Sequence, residues 1–260
     1  MTSGTPWPPE SSQRQAEREA RSIEHYGLEF CWCFNQFGDE QPKQIRFHDD
    51  RQDTSAEGWQ HLLALIDEAL ADEREVFKPL RELSAEERRQ IITLPSSIGR
   101  LGAVKHFELY RSNLVRVPPE IGAMTSLEIF TPYTSHRLHW FPYELTRCFA
   151  LRRSIVSTRS LYGNHKYRPP FPALSSDRNS RVGAELADLD AKIWGATATE
   201  TCSVCGIPMR GPELVQAWVS RRVGTDILPL LVNACSSDCL ATVPEVGTPV
   251  QASTSGRVGS

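Results

Sequence analysis

The chain has 260 residues, 40% hydrophobic and 23% charged, with a formal net charge of -3. That length and apolar share support a folded core without disulfides. The slightly acidic balance gives no electrostatic ground for general binding to nucleic acid or to an anionic membrane. No stretch approaches the roughly 20 apolar residues of a membrane span. The start, Met1 to Pro9, lacks the basic-then-apolar pattern of a secretory leader. Cysteines number 7, an odd count with metal-like spacing in four of them, which favours a reducing, cytoplasmic setting over a disulfide framework.

Residues 1–12 are rich in Pro, Ser and Thr and read as disordered, and residues 13–25 read as an exposed helix. A capping region over 26–90 follows. Leu28, Phe30, Trp32 and Phe34 alternate with Glu29, Cys31 and Cys33, the pattern of a strand whose buried face carries the first set. Residues 44–48 read as its partner strand. Thr54 to Glu57 has the form of a capping box, and Trp59, Leu62, Leu63, Ile66 and Leu70 recur at helical spacing, predicting a helix over 56–73. Ser84 to Glu87 is a second capping box, opening a short helix that ends near Gln90.

A 23-residue period comes next. Leu94, Pro95, Ile98, Gly99 and Leu101 align with Val117, Pro118, Ile121, Gly122 and Met124; Val104 aligns with Leu127, and Phe107 with Phe130. A third copy begins at Phe141-Pro142, and a weaker return at Phe171-Pro172. Such a period is the signature of leucine-rich repeats, in which each unit supplies one strand and buries its apolar face only against its neighbours. The frame has departures: Ser112 stands at the usual asparagine position with Asn113 one place late, Pro132 interrupts the second strand, and Ser154 falls on a core position. The expected fold class is α/β: a short leucine-rich-repeat solenoid over 91–174, with an α+β N-terminal cap and a small zinc-binding C-terminal module. A polar linker over 175–186 joins the module at 187–243, and a disordered tail covers 244–260.

The strings Ile91–Pro95, Leu114–Gly122, Leu138–Glu144 and Leu161–Pro172 resemble those of bacterial leucine-rich-repeat domain proteins. The resemblance covers about a third of the chain. It implies a solenoid used for protein recognition and implies no reaction.

Cys202 and Cys205 are followed, after 29 residues, by Cys235 and Cys239. Two close pairs of soft thiolates are what one tetrahedral structural Zn²⁺ needs, and four protein ligands leave no open position for a substrate. This segment resembles treble-clef zinc fingers. Cys202–Gly206 would form the knuckle, 214–222 and 227–232 a hairpin turning at Gly224, and Cys235–Cys239 the opening of a helix.

The candidate binding surface lies on the repeat strands, at residues between the apolar positions. These are His106, Glu108 and Tyr110; then Ile129, Thr131 and Tyr133; then Arg153, Ile155 and Ser157. A Tyr110/Tyr133 column near Arg153 has the composition of a protein-recognition surface. Cys31 and Cys33 read as structural cysteines, and Cys148 as packing. His136 and His139, beside Trp140, read as an aromatic cap for want of a third ligand nearby in sequence. Residues 161–168 read as a loop sealing the array. No nucleophile triad, phosphate-binding glycine loop or dinucleotide fingerprint appears. The sequence therefore predicts a non-catalytic, protein-binding adaptor with a structural zinc. Nucleic-acid binding through Arg210, Arg221 and Arg222 is the alternative, and an enzyme using Cys148 or Cys31 is the third reading.

Overall fold

The computed structural model describes residues 17, 20, 21, 27–29, 31, 48, 50–158, 201–209 and 214–244. The expectations for 1–12, 161–168, 175–186 and 245–260, and those on Cys33, Phe171-Pro172 and Arg210, lie outside these residues. Glu17, Ala20 and Arg21 are helical and exposed, while Leu28, Glu29 and Cys31 are in neither helix nor strand.

Helix α1, Glu57–Ala71, buries Trp59, Leu62, Leu65, Ile66 and Ala69 along one face. The predicted box at Thr54 does not form: Ala56 is the N-cap, with no side-chain cap bond. Asp53 Oδ1 instead accepts from the backbone N–H and hydroxyl of Ser55, at 2.8 and 2.6 Å. Helix α2, Ala85–Arg89, does carry its predicted box, with Ser84 and Glu87 each satisfying the other's backbone N–H. Glu87 also meets His61 Nδ1 at 2.6 Å. The Ser84 N–H first, and the His61 ring second, draw the Glu87 pKa from 4.5 to about 2. A depressed carboxylate pKa stabilises the fold above its unfolded value and stops doing so as pH falls through its folded value. Wild type is therefore expected to lose stability relative to Glu87→Gln between pH 4.5 and about 2. Parallel thermal melts across that range check it, and curves that stay parallel would contradict it.

Four short strands form a parallel sheet: β1 (Val76–Phe77), β2 (His106–Glu108), β3 (Ile129–Thr131) and β5 (Arg153–Ser154), in that order. The 23-residue period appears as strand register, with His106 opposite Ile129, Phe107 opposite Phe130 and Glu108 opposite Thr131. β3 stops before Pro132, which has no N–H for the ladder. Behind the strands run 3-10 turns at Ser96–Arg100, Pro119–Ala123 and Tyr143–Arg147. Gly122 lies so close to the next turn that a Cβ there would sit 2.6 Å from the Glu144 carbonyl oxygen. The repeated Ile-Gly pair thus reports a close backbone approach.

The second sheet is mixed. β4 (Phe141–Pro142) pairs in parallel with β7 (Asp226–Ala234), which pairs antiparallel with β6 (Val215–Val223). A two-residue turn joins β6 to β7, with Gly224 at φ +60°.

This architecture corrects the solenoid expectation. The described residues form a four-stranded parallel sheet and a three-stranded mixed sheet with few helices, and not a solenoid. The period specifies strand register, but the strands are two or three residues long and the row ends at β5. There the C-terminal hairpin takes over: Ser154 Oγ donates to the Val223 carbonyl at 2.8 Å, and Thr225 Oγ1 donates to the Ser154 carbonyl at 2.8 Å. Ser154, out of place in an apolar repeat frame, bonds the last strand of the parallel sheet to the hairpin of the mixed one.

One core runs through both. Phe77, Phe107, Phe130 and Phe141 form a row of rings with successive centroids 5.7, 6.2 and 6.1 Å apart. Trp140 meets Trp218 edge to face at 6.0 Å.

Candidate metal centre and tyrosine face

The four predicted cysteines converge. Cys202 lies in a turn that Gly206, at φ +74°, completes: the Gly206 N–H donates to the Cys202 carbonyl at 3.0 Å, and the Cys202 N–H to the Ile207 carbonyl at 2.9 Å. Cys235 follows the end of β7. Cys239 lies in helix α3 (Ser237–Ala241), whose N-cap Ser236 accepts from the Cys239 N–H at 3.1 Å. Cys235 therefore precedes the helix rather than opening it.

The sulfurs of Cys202 and Cys239 are 3.5 Å apart, and those of Cys205 and Cys235 are 3.8 Å apart. A tetrahedral ion with bonds of about 2.3 Å to each thiolate places its sulfurs about 3.8 Å apart. All four ligand atoms fall within 4.8 Å of one another. The cluster is compatible with a metal site.

The electrostatics agree. Burial opposes ionisation of Cys202, but backbone N–H groups aimed at its sulfur, from Val204 and Cys235 at 3.4 Å each, help bring its pKa to about 6. Removal from water and the neighbouring Cys202 sulfur push Cys239 up to about 12, and the contact with Cys205 raises Cys235. Thiols this close do not all ionise beside one another. A dication in their midst reverses that penalty.

The centre is anchored to the body of the fold. Arg147 donates to the Cys202 and Ser203 carbonyls at 3.3 and 2.8 Å, and the Ser203 N–H donates to the Asn233 carbonyl at 2.7 Å.

The surface residues fall in rows across the parallel sheet. Tyr110 and Tyr133 stack, with centroids 6.1 Å apart and planes 14° apart, and the Arg111 guanidinium lies 5.1 Å from the Tyr110 ring centre. Tyr133 is 45% exposed. The residue after each tyrosine has left-handed backbone, Arg111 at φ 56° and Thr134 at φ 57°. That conformation costs a non-glycine residue about 1–2 kcal/mol. The Arg111 N–H bond to the Tyr133 carbonyl and the Thr134 N–H bond to Ser157 Oγ, each 2.9 Å, hold it in place.

Other predicted surface residues are arranged differently. Arg153 is exposed but shares its row with His106 and Ile129, four residues along the strands from the tyrosines. Thr131 Oγ1 meets His106 Nε2 at 3.4 Å. Glu108 is buried and committed to ion pairs with Arg81 at 2.7 Å and Lys78 at 3.2 Å. Ile129, Ile155 and Ser157 are half-buried.

Cys148 fits its packing role: its thiol donates to the Ile121 carbonyl at 3.2 Å, and burial pushes its pKa up to about 12. Arg221, offered for nucleic acid, is 1% exposed and donates to the Pro244 carbonyl at 2.7 Å. Sequence reasoning missed two things. Asn113 ties down the N-terminal segment, donating to the Gly27 carbonyl and accepting from the Glu29 N–H at 2.7 Å. Cys31 meets in space two histidines, His48 and His139, that lie 17 and 108 residues away in sequence. Among the described residues no helix is long and apolar enough to cross a membrane. No protein-family model matches the chain, and a search of curated proteins found no significant relative.

Proposed function

We propose that the chain is a non-catalytic, zinc-stapled protein-binding protein, working in a reducing compartment such as the cytoplasm, that captures a partner protein on its Tyr110/Tyr133 face. The observation that carries this reading is the stacked, partly exposed tyrosine pair set by two left-handed residues. Strained backbone concentrates at functional sites. Rigid aromatic side chains with a neighbouring guanidinium are the composition of binding hot spots. Zinc is the ion assigned to the four cysteines because four closed thiolate ligands suit it and leave no position for catalysis.

Nucleic-acid binding is less well supported: of the arginines named for it, Arg221 is buried, which leaves Arg222 as the one exposed among the described residues. The test is quantitative capture from extract, with and without nuclease, by wild type and by Tyr110→Ala/Tyr133→Ala. A hot-spot pair removed together is expected to weaken capture at least 30-fold, at about 2 kcal/mol or more for such residues, with melting and metal content little changed. Equal capture by the variant would remove the tyrosine face from the account.

A further inference from the structure

Two side chains of the N-terminal segment and one from the loop before β4 meet well away from the four-cysteine centre in sequence. Cys31 Sγ lies 3.3 Å from His139 Nε2 and 3.3 Å from His48 Nε2. The two imidazole rings are 4.9 Å apart and tilted by 53°. All three potential ligand atoms fall within 4.8 Å of one another. Cys31 is 2% exposed and His139 is 1% exposed, while His48 is half-buried. This reverses the sequence expectation for Cys31, which the alternation put opposite the buried face of a strand.

The distances have a simple reading. An ion bonded at about 2.3 Å to sulfur and about 2.0 Å to nitrogen in tetrahedral geometry separates those two atoms by about 3.5 Å. Both sulfur–nitrogen edges here are 3.3 Å. Two ring nitrogens converge on this one sulfur, an arrangement that hydrogen bonds of opposite sense or a shared cation would each satisfy, and the short edges match the cation.

The surroundings fit as well. His48 turns its other ring nitrogen, Nδ1, towards Asp50 Oδ2 at 3.8 Å. Asp50 is in turn held by Arg137 at 2.7 Å, and Arg137 also pairs with Glu29. At that distance Asp50 is an ion-pair neighbour of His48 and not its hydrogen-bond acceptor; a small closing movement would give the carboxylate–imidazole pair that aims the other ring nitrogen at a metal.

We propose that Cys31, His48 and His139 form a second site for a divalent transition-metal ion of the zinc class. One thiolate and two imidazoles are a borderline-soft set suited to that class rather than to calcium or magnesium. The ion ties the segment bearing Cys31 and His48 to the loop just before β4. With two of its three ligands buried, it acts as a fastening, and its loss loosens the N-terminal segment.

The test is metal analysis of the full-length protein after exhaustive dialysis, with X-ray absorption at the metal edge. The expected result is two ions per chain in wild type and a coordination shell mixing sulfur with imidazole nitrogen. Cys31→Ser and His48→Ala should each retain one ion. Cys202→Ser/Cys205→Ser should also retain one, now in a nitrogen-rich shell, which separates this site from the four-cysteine centre. The wild-type spectrum does not depend on any variant folding. One ion per chain with an all-sulfur shell would overturn the proposal and leave a hydrogen-bonded Cys–His cluster. Rapid alkylation of Cys31 in fully metal-loaded protein would overturn it too, because a bound thiolate is protected.

Discussion

With the proposed zinc held by the four cysteines, its removal by chelator or by Cys202→Ser is expected to loosen the β6–β7 hairpin and lower the melting temperature of the whole chain. Structural zinc contributes about 10–16 kcal/mol to the folding of isolated finger peptides. Here the hairpin keeps its own packing against β4, so a loss on the order of 5 kcal/mol is expected, a fall of at least about 10 °C at about 2–4 °C per kcal/mol. Cys202 is the position to change, being 0% exposed and the acceptor of two backbone N–H groups. The effect should spread. Arg147 grips the Cys202 turn, Phe141 pairs with Leu230, and Ser154 joins β5 to the hairpin. Hydrogen exchange should therefore show lost protection at β4 and β5 as well as at β6 and β7. Loss confined to 201–244 would mean the two sheets are energetically independent, and unchanged melting would mean no ion stabilises the centre.

The second large effect is expected at the phenylalanine row. Phe107 and Phe130 are each 0% exposed, and each ring touches a ring on both sides. Truncating such a residue to Ala removes its burial and leaves a cavity that stiff neighbours do not fill, at about 3–5 kcal/mol. That is a large fraction of the about 5–15 kcal/mol that holds a domain together. Phe130→Ala should be the costlier of the two, because its ring bridges the parallel sheet to Phe141 of the mixed sheet. Denaturant melts check this. A cost under 1 kcal/mol at either position would show that the ring row is not the common core. Phe149→Ala is the matched control, since that ring is 62% exposed.

Local chemistry was legible in the sequence wherever a pattern is closed over a few residues. The Cys202/Cys205 and Cys235/Cys239 pairs, the Gly224 turn and the Ser84–Glu87 box stand much as read. The 23-residue period correctly paired His106 with Ile129 and Phe107 with Phe130. It did not carry the architecture, because a register repeated over three strands says nothing of what covers the last one. That depends on Ser154 and Thr225, 71 residues apart in sequence. The box at Thr54 failed because the helix begins two residues later than the motif implies, with Ala56 as its N-cap, while Asp53 folds the preceding turn onto Ser55. The Cys31 cluster was invisible for a related reason. Its contacts span 17 and 108 residues, and a cysteine in an alternating stretch carries no trace of either. Glu108 looked like a surface acid, yet Lys78 and Arg81 had already claimed it.

The measurement that bears most directly on the account is photo-crosslinking in a cell extract. One protein carries a photoreactive residue in place of Tyr133, and a control carries it in place of Arg100, on the turn behind the strands. A discrete, nuclease-resistant protein adduct is expected from position 133 and none from position 100. An adduct that disappears with nuclease, or equal labelling from both positions, would contradict it.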